Sequence, residues 1–226
     1  MNTLLTNPSN RGGQRSTDQI KYIVIHYTAN RGDTAKNNAV YFNREVVKAS
    51  AHYFVDENEV WQSVPDHYIA WHCGGGLQGT GGASFHKKCT NTNSVGIEMC
   101  LLDRKGNIRN KTIEKAIELT KELMKKYNVP VDRVIRHWDV TSKSCPAPMI
   151  GTNNSLWKSF KEKLVNLEEE KDMVRYNTFE EIPGYAKSVV KKLMDHKTLR
   201  GDGKNLDLSE DMLRMLVFND REGLYD

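Results

Sequence analysis

Three side chains in this 226-residue chain have the chemistry to hold a metal ion: His26 in an apolar run, His137 near the end of another, and Cys145 eight residues after it. Two imidazoles and a thiolate form a borderline-soft donor set suited to zinc. Three protein donors leave a fourth position free for water, which is the catalytic rather than the structural arrangement. His26 and His137 lie far apart, so the spacing is not a local zinc signature, and pattern alone leaves open two packed core histidines and an inert thiol. The remaining cysteines, Cys73, Cys89 and Cys100, fit no standard zinc spacing and read as structural thiols. Cys73 and Cys89 are a candidate pair after release to an oxidising exterior.

The surrounding segments predict strands and helices in alternation. Lys21 to Thr28 is β-branched and aromatic, the pattern of a buried strand, and Asp33-Thr34 opens a helix through Val46. Residues 51–56 and 59–64 flank Glu57-Asn58 as a hairpin, and a glycine-rich loop runs from His72 to about Asn93. Ser94 to Leu101 reads as the next strand. After a turn at 105–107, apolar residues from Ile113 to Met124 recur at helical spacing within 112–127, and Arg133 to Trp138 reads as a short strand. A helix from Ser155 leads into the charged stretch 164–172. Two further helical patterns, Pro183 to His196 and Ser209 to Glu222, are joined by a polar turn at 200–205. The organisation is therefore a larger domain over 1–165, a linker over 166–176 and a small all-α module over 177–226.

Composition narrows the class. Hydrophobic residues make up 38% and charged residues 27%, as in soluble globular chains. No apolar run approaches the roughly 20 residues that cross a bilayer, and the first residues carry neither a basic start nor a long apolar stretch, so no signal peptide is expected. Net charge is +4, with 21 Lys/Arg against 14 Asp/Glu up to Phe160 and 12 against 15 beyond it. A basic body suits an anionic polymer, but no helix-turn-helix, zinc-finger or RNA-binding motif supports a nucleic-acid partner.

Five blocks in order then carry a resemblance: Ile23-Val-Ile-His-Tyr-Thr28, Ser50-Ala-His-Tyr53, Ala70-Trp-His72, Asn93-Ser-Val-Gly-Ile-Glu98, and Arg136-His-Trp-Asp139 with Lys143-Ser-Cys-Pro146. Over about residues 17–165 the chain resembles the type-2 N-acetylmuramoyl-L-alanine amidases, above all the endolysins of phages and prophages of Gram-positive bacteria. The resemblance implies an α/β fold with a mixed central β-sheet flanked by helices. It also implies zinc held by His26, His137 and Cys145, with Glu98 as general base and then acid. Lys143 falls where the family places a cation near the developing oxyanion, and Trp71 and His72 match the block lining the substrate groove. The implied reaction is zinc-dependent hydrolysis of the amide between N-acetylmuramic acid and L-alanine in peptidoglycan, with lysis of the wall. One departure matters: a more distant branch has a tyrosine immediately before the hairpin histidine, whereas here Ala51 precedes His52 and Tyr53 follows it. This weakens a tyrosine-assisted mechanism and gives Glu98 more weight, and His52 reads as a packed strand residue rather than a ligand.

The tail resembles a single, diverged S-layer-homology-like unit. It is expected either to bind a secondary wall polymer or to self-associate as a homo-oligomer through Ala186, Val189, Val190, Leu193, Leu213, Leu216 and Val217; a helical cap is the bland alternative. A phage-type lysin held in the host bacterial cytoplasm and acting at the cell wall is the expected setting. The competing readings are a bacterial autolysin of the same chemistry and a non-catalytic peptidoglycan-recognition protein, against which Cys145 argues.

Overall fold

The computed structural model describes residues 1–101, 103, 105–151, 154–171, 174–201 and 205–225. It divides into two compact units, Met1–Val165 and Asn166–Asp226. In chain order the first contains β1 (Asn2–Thr3), β2 (Arg11–Gln14), β3 (Tyr22–Tyr27), α1 (Ala35–Arg44), β4 (Tyr53–Val55), β5 (Val60–Gln62), β6 (Tyr68–Ala70), β7 (Ser94–Met99), α2 (Asn110–Tyr127), β8 (Val134–Arg136) and α3 (His137–Thr141), followed by α4 (Ser155–Lys171). The second has β9 (Arg175–Tyr176), α5 (Gly184–Asp195), β10 (Leu208–Ser209) and α6 (Glu210–Arg221).

The first unit is built on a six-stranded sheet in the order β1-β5-β4-β7-β3-β8. It is mixed, as expected: β3 runs parallel to both β7 and β8, β4 runs parallel to β7, and only β4 and β5 pair antiparallel as the predicted hairpin. Alternation along the strands divides the sheet into two faces. Ile23, Ile25, Val95, Ile97 and Met99 point into the main core, where α2 covers them with Ile113, Ala116, Ile117, Leu119, Leu123 and Met124 and α4 adds Phe160 and Leu164. The periodicity of α2 is therefore that of a helix with one face in the core. It ends at Asn128, whose φ of 51° is in the left-handed region that asparagine tolerates.

The opposite face of β3 and β7, carrying Val24, His26, Gly96 and Glu98, holds the residues singled out for chemistry. The glycine-rich loop is pinned beside α3 by Gln78 N–H to Thr141 O (2.7 Å), Ala83 N–H to Trp138 O (3.0 Å) and Phe85 N–H to Asp139 O (2.9 Å). Two glycines make that approach feasible: a Cβ at Gly79 would lie 2.6 Å from Ser142 O, and one at Gly82 would collide with Trp138 O and lie 2.8 Å from its ring. Gly82→Ala is therefore expected to cost about 1–3 kcal/mol through overpacking, measured by urea unfolding. Gly76→Ala in the same loop, where a Cβ meets nothing within 4 Å, is expected to change stability little; equal costs for the two would show that backbone entropy rather than packing governs the loop.

Two expectations need adjustment. The strand predicted over 133–138 stops at Arg136, and His137 and Trp138 instead open α3. The cause is local: the Asp139 carboxylate, three residues on, accepts from the Arg136 backbone N–H at 2.8 Å and from its guanidinium at 2.8 and 3.0 Å, closing a helix start. The tail module is not purely helical, because β9 and β10 form a short antiparallel pair ahead of α6. Its own core gathers Ile182, Ala186, Val189, Val190, Leu193, Leu208 and Leu213, and Ser209 caps α6 by accepting from Met212 N–H at 3.2 Å. The expected linker and the turn at 200–205 fall partly outside the described residues. Among those described, no helix is long and apolar enough to cross a membrane.

Candidate metal centre and active site

Parallel pairing does most of the positioning. His26 is opposite Glu98 in the β3–β7 register, each one residue from its strand's end, and His137 directly follows β8 on the other side of β3. All three thus emerge at the carboxyl ends of adjacent parallel strands, the edge at which open α/β sheets characteristically bind ligands. Cys145 reaches the same place through the turn after α3, where its carbonyl accepts from Trp138 N–H at 2.9 Å.

The donor atoms of His26, His137 and Cys145 lie within 4.8 Å of one another. Cys145 Sγ is 3.8 Å from His26 Nδ1, and the His26 and His137 rings meet edge-on with centroids 4.7 Å apart. All three residues are buried. Both ring nitrogens of His137 are buried without a hydrogen-bond partner, as is Glu98 Oε2. Orphaned polar atoms of this kind are rare and costly in a folded protein. A cation among His26, His137 and Cys145 would take one nitrogen lone pair from each ring together with the sulfur, so these residues fit a zinc ion.

The electrostatics describe a desolvated cluster with one ammonium acting on it. Burial holds His26 well below its ordinary value, helped by His137, His72 and Lys143, and lowers His137 to about 4, so both rings are neutral at pH 7. Burial, with Glu98 nearby, raises the Cys145 thiol to about 12. Glu98, with Oε1 4.0 Å from His26 Nδ1, is raised to about 7 by burial, against an opposing pull from Lys143. Lys143 itself is exposed, yet its charge bears on His26, His137, Cys145 and Glu98 alike, which places an ammonium beside the cluster.

The other named residues separate. His72 joins the cluster: its Nδ1 is 3.0 Å from His26 Nε2, and its Nε2 is 3.1 Å from Ser94 Oγ. Trp71 packs instead beside β2, with its Nε1 3.2 Å from where a Gly12 Cβ would stand. His52 is fully buried and its Nδ1 accepts from Gly96 N–H at 3.1 Å, while the Tyr53 hydroxyl donates to Asp66 Oδ1 at 2.7 Å within the core side of the sheet. Cys73 and Cys89 are buried free thiols in one cluster with Val24, Ile135 and Val140.

Sequence reasoning passed over Arg15 and the Arg136–Asp139 pair. Buried Arg15 donates to the carbonyls of Asp66, Asn91, Thr92 and Ser94 and so ties the loop ahead of β7 to the N-terminal segment. Arg136 and Asp139 set the start of α3 and hence the direction of His137. The signal for the pair was an Arg and an Asp three residues apart around His137; nothing local marks Arg15.

Comparison with known proteins gives the family. Residues 16–148 match the family described as N-acetylmuramoyl-L-alanine amidase (Amidase_2). A probable N-acetylmuramoyl-L-alanine amidase of Bacillus licheniformis is 42% identical over 135 residues, covering 58% of this chain and 37% of that protein. The amidase CwlL of the same species is 37% identical over 153 residues, covering 66% and 41%. The chain thus spans about two fifths of the length of these curated relatives. Among solved structures, that of PlyL superposes with a TM-score of 0.60 at 26% identity, covering 73% of this chain and 96% of PlyL. The catalytic domain of XlyA gives 0.57 at 27%, covering 72% and 97%. With well over half of its length matched by the family and the matched segment containing His26, Glu98, His137 and Cys145, the chain belongs to the N-acetylmuramoyl-L-alanine amidase family.

Proposed function

We propose that this chain is an endolysin-type zinc amidase that cleaves the bond between the lactyl carboxyl of N-acetylmuramic acid and the amino group of L-alanine in peptidoglycan, lysing bacterial walls. The observation that carries the reading is the convergence of two neutral imidazoles, a thiol and a carboxylate with one unpartnered oxygen at one sheet edge. His26, His137 and Cys145 would hold zinc, which when bound supplies Lewis-acid polarisation of the carbonyl and a water of lowered pKa. Glu98 takes the proton of the attacking water as the C–O bond forms and the carbonyl oxygen gains charge, then delivers it to the departing alanine nitrogen as the C–N bond breaks. The Lys143 ammonium offsets the negative charge that develops on the carbonyl oxygen. Trp71 offers an aromatic face to sugar or peptide.

The second unit, in this reading, holds a secondary wall polymer or a second copy of the chain. The setting proposed is a lysin made in the host cytoplasm that acts at the wall.

Purified Gram-positive walls test the reaction. Wild type loaded with zinc is expected to reduce turbidity and release new L-alanine amino termini without new reducing sugar ends, and Cys145→Ser is expected to release neither. Reducing ends in place of amino termini would make the enzyme a glycosidase, and bound but uncut walls would make it a recognition protein.

A further inference from the structure

We propose that His72 is a positioning residue that fixes the tautomer of His26, holding the lone pair of Nδ1 toward the metal position; the inference rests on the zinc reading of His26, His137 and Cys145. It follows from the order of donors in a chain of three side chains. Ser94 Oγ is 2.6 Å from Thr90 O. Two oxygens that close share a proton, and a carbonyl has none, so the serine hydroxyl donates there. Ser94 Oγ is therefore the acceptor in its 3.1 Å contact with His72 Nε2, which must carry the proton. In the neutral ring His72 Nδ1 is then a bare acceptor, and its 3.0 Å partner, His26 Nε2, must donate. With its proton committed to Nε2, His26 turns an unprotonated Nδ1 toward Cys145 Sγ at 3.8 Å and Glu98 Oε1 at 4.0 Å. That is the form in which an imidazole binds a metal, and the outer N–H of a ligating histidine characteristically has such a partner.

The site is shaped for the His72 ring. Gly96 in β7 lies under it: a Cβ there would come 2.7 Å from His72 Cγ and 2.8 Å from Nδ1. The rings of His26 and His52 meet it edge-on, at centroid distances of 5.1 and 5.7 Å. The Asn91 side chain fixes the backbone beneath, its Oδ1 accepting from the N–H groups of His72 and Cys73 at 3.1 and 2.9 Å. With both ring nitrogens engaged inward, His72 serves the ligand rather than the substrate.

Two readouts test this without recourse to activity. In metal-free wild type, imidazole nitrogen NMR is expected to show His26 protonated on Nε2 alone, and in His72→Ala a mixture of tautomers. Zinc affinity, measured by competition with a chromophoric chelator, is expected to fall about 10–100-fold in His72→Ala and to fall also in Ser94→Ala, which leaves both rings in place. His72→Asn restores most of it, since Asn Oδ1 stands where Nδ1 stood. Should His72→Ala fail to fold, the wild-type tautomer and the Ser94→Ala affinity decide. A His26 proton on Nδ1 in the metal-free wild type, or zinc bound as tightly by His72→Ala or Ser94→Ala as by wild type, overturns the inference alone. Wild type that binds no zinc overturns the metal reading and this role with it.

Discussion

Replacing Glu98 with glutamine is expected to lower turnover on a soluble muramoyl-peptide by about 10²–10⁴-fold while making the metal-free protein more stable at pH 8. Both effects have one source. Pairing of β7 with β3 and β4 sets Glu98 opposite His26 and Phe54, where Oε2 is buried without a partner. Burial raises its carboxyl from an ordinary 4.5 to about 7, which suits a group that must take and return a proton near neutrality. The folded state therefore keeps this proton to higher pH than the unfolded chain does. Between 4.5 and 7 this carboxyl binds more protons in the folded form, so its own contribution to stability falls as pH rises through that window, and the loss is complete above it. With the side chain about one-fifth exposed, the loss should be on the order of 1–3 kcal/mol. Glutamine has no proton to lose, so this contribution disappears and leaves the opposite one of His26 and His137, whose depressed values make stability rise with pH below about 6.5; the Glu98 share is the difference between wild type and variant. Urea unfolding with chelator present at pH 5 and pH 8 measures it. Turnover within threefold of wild type would place the base elsewhere; an unchanged pH slope would show that Glu98 is solvated in the folded protein.

What was legible in the sequence follows from which structures have a local signature. β3, β4 and β7 are buried almost throughout and so read as apolar runs, and α2 buries one face and so shows helical spacing. β1 and β2 are short and carry polar residues such as Asn2, Arg11 and Gln14, and β6 is only three residues long, so none has a pattern to detect. The start of α3 at His137 depends on an aspartate reaching back three residues, which competes with the β-branched signal of Val134 and Ile135. The ligand set could not be read from spacing, since strand pairing rather than chain proximity brings His26 to Cys145; the ordered motif blocks carried it. The bonding of His72 was invisible for the same reason. Its block gave a place in the groove, whereas its partners, His26 and Ser94, belong to strands far from it in sequence.

Zinc binding is expected to release a number of protons that depends on pH in a way only this donor set explains. His26 and His137 are held neutral near pH 7 and contribute nothing there. Cys145, its thiol raised to about 12, is fully protonated in the metal-free protein and must lose its proton to become a ligand. That contributes about one proton per zinc at any pH from 6 to 8. Glu98 adds to it: near pH 6 it is mostly protonated, and a dication beside His26 favours its ionised form. The Glu98 share, read as wild type minus Glu98→Gln, should thus be about one proton at pH 6 and shrink toward none at pH 8, ionisation of a bound water being common to both. Titration calorimetry in buffers of different ionisation enthalpy counts them. The same binding should stabilise the folded chain by roughly 4 kcal/mol at zinc a thousandfold above Kd, a gain abolished by chelator. Cys145→Ser should lose both the stabilisation and most of the release, because an alcohol gives up its proton far less readily than a thiol. Zinc bound by Cys145→Ser with wild-type affinity and proton count would remove the thiol from the ligand set. A wild-type count equal to that of Glu98→Gln at pH 6 would separate Glu98 from the metal's field, and with it the argument that one carboxyl handles both the water's proton and alanine's.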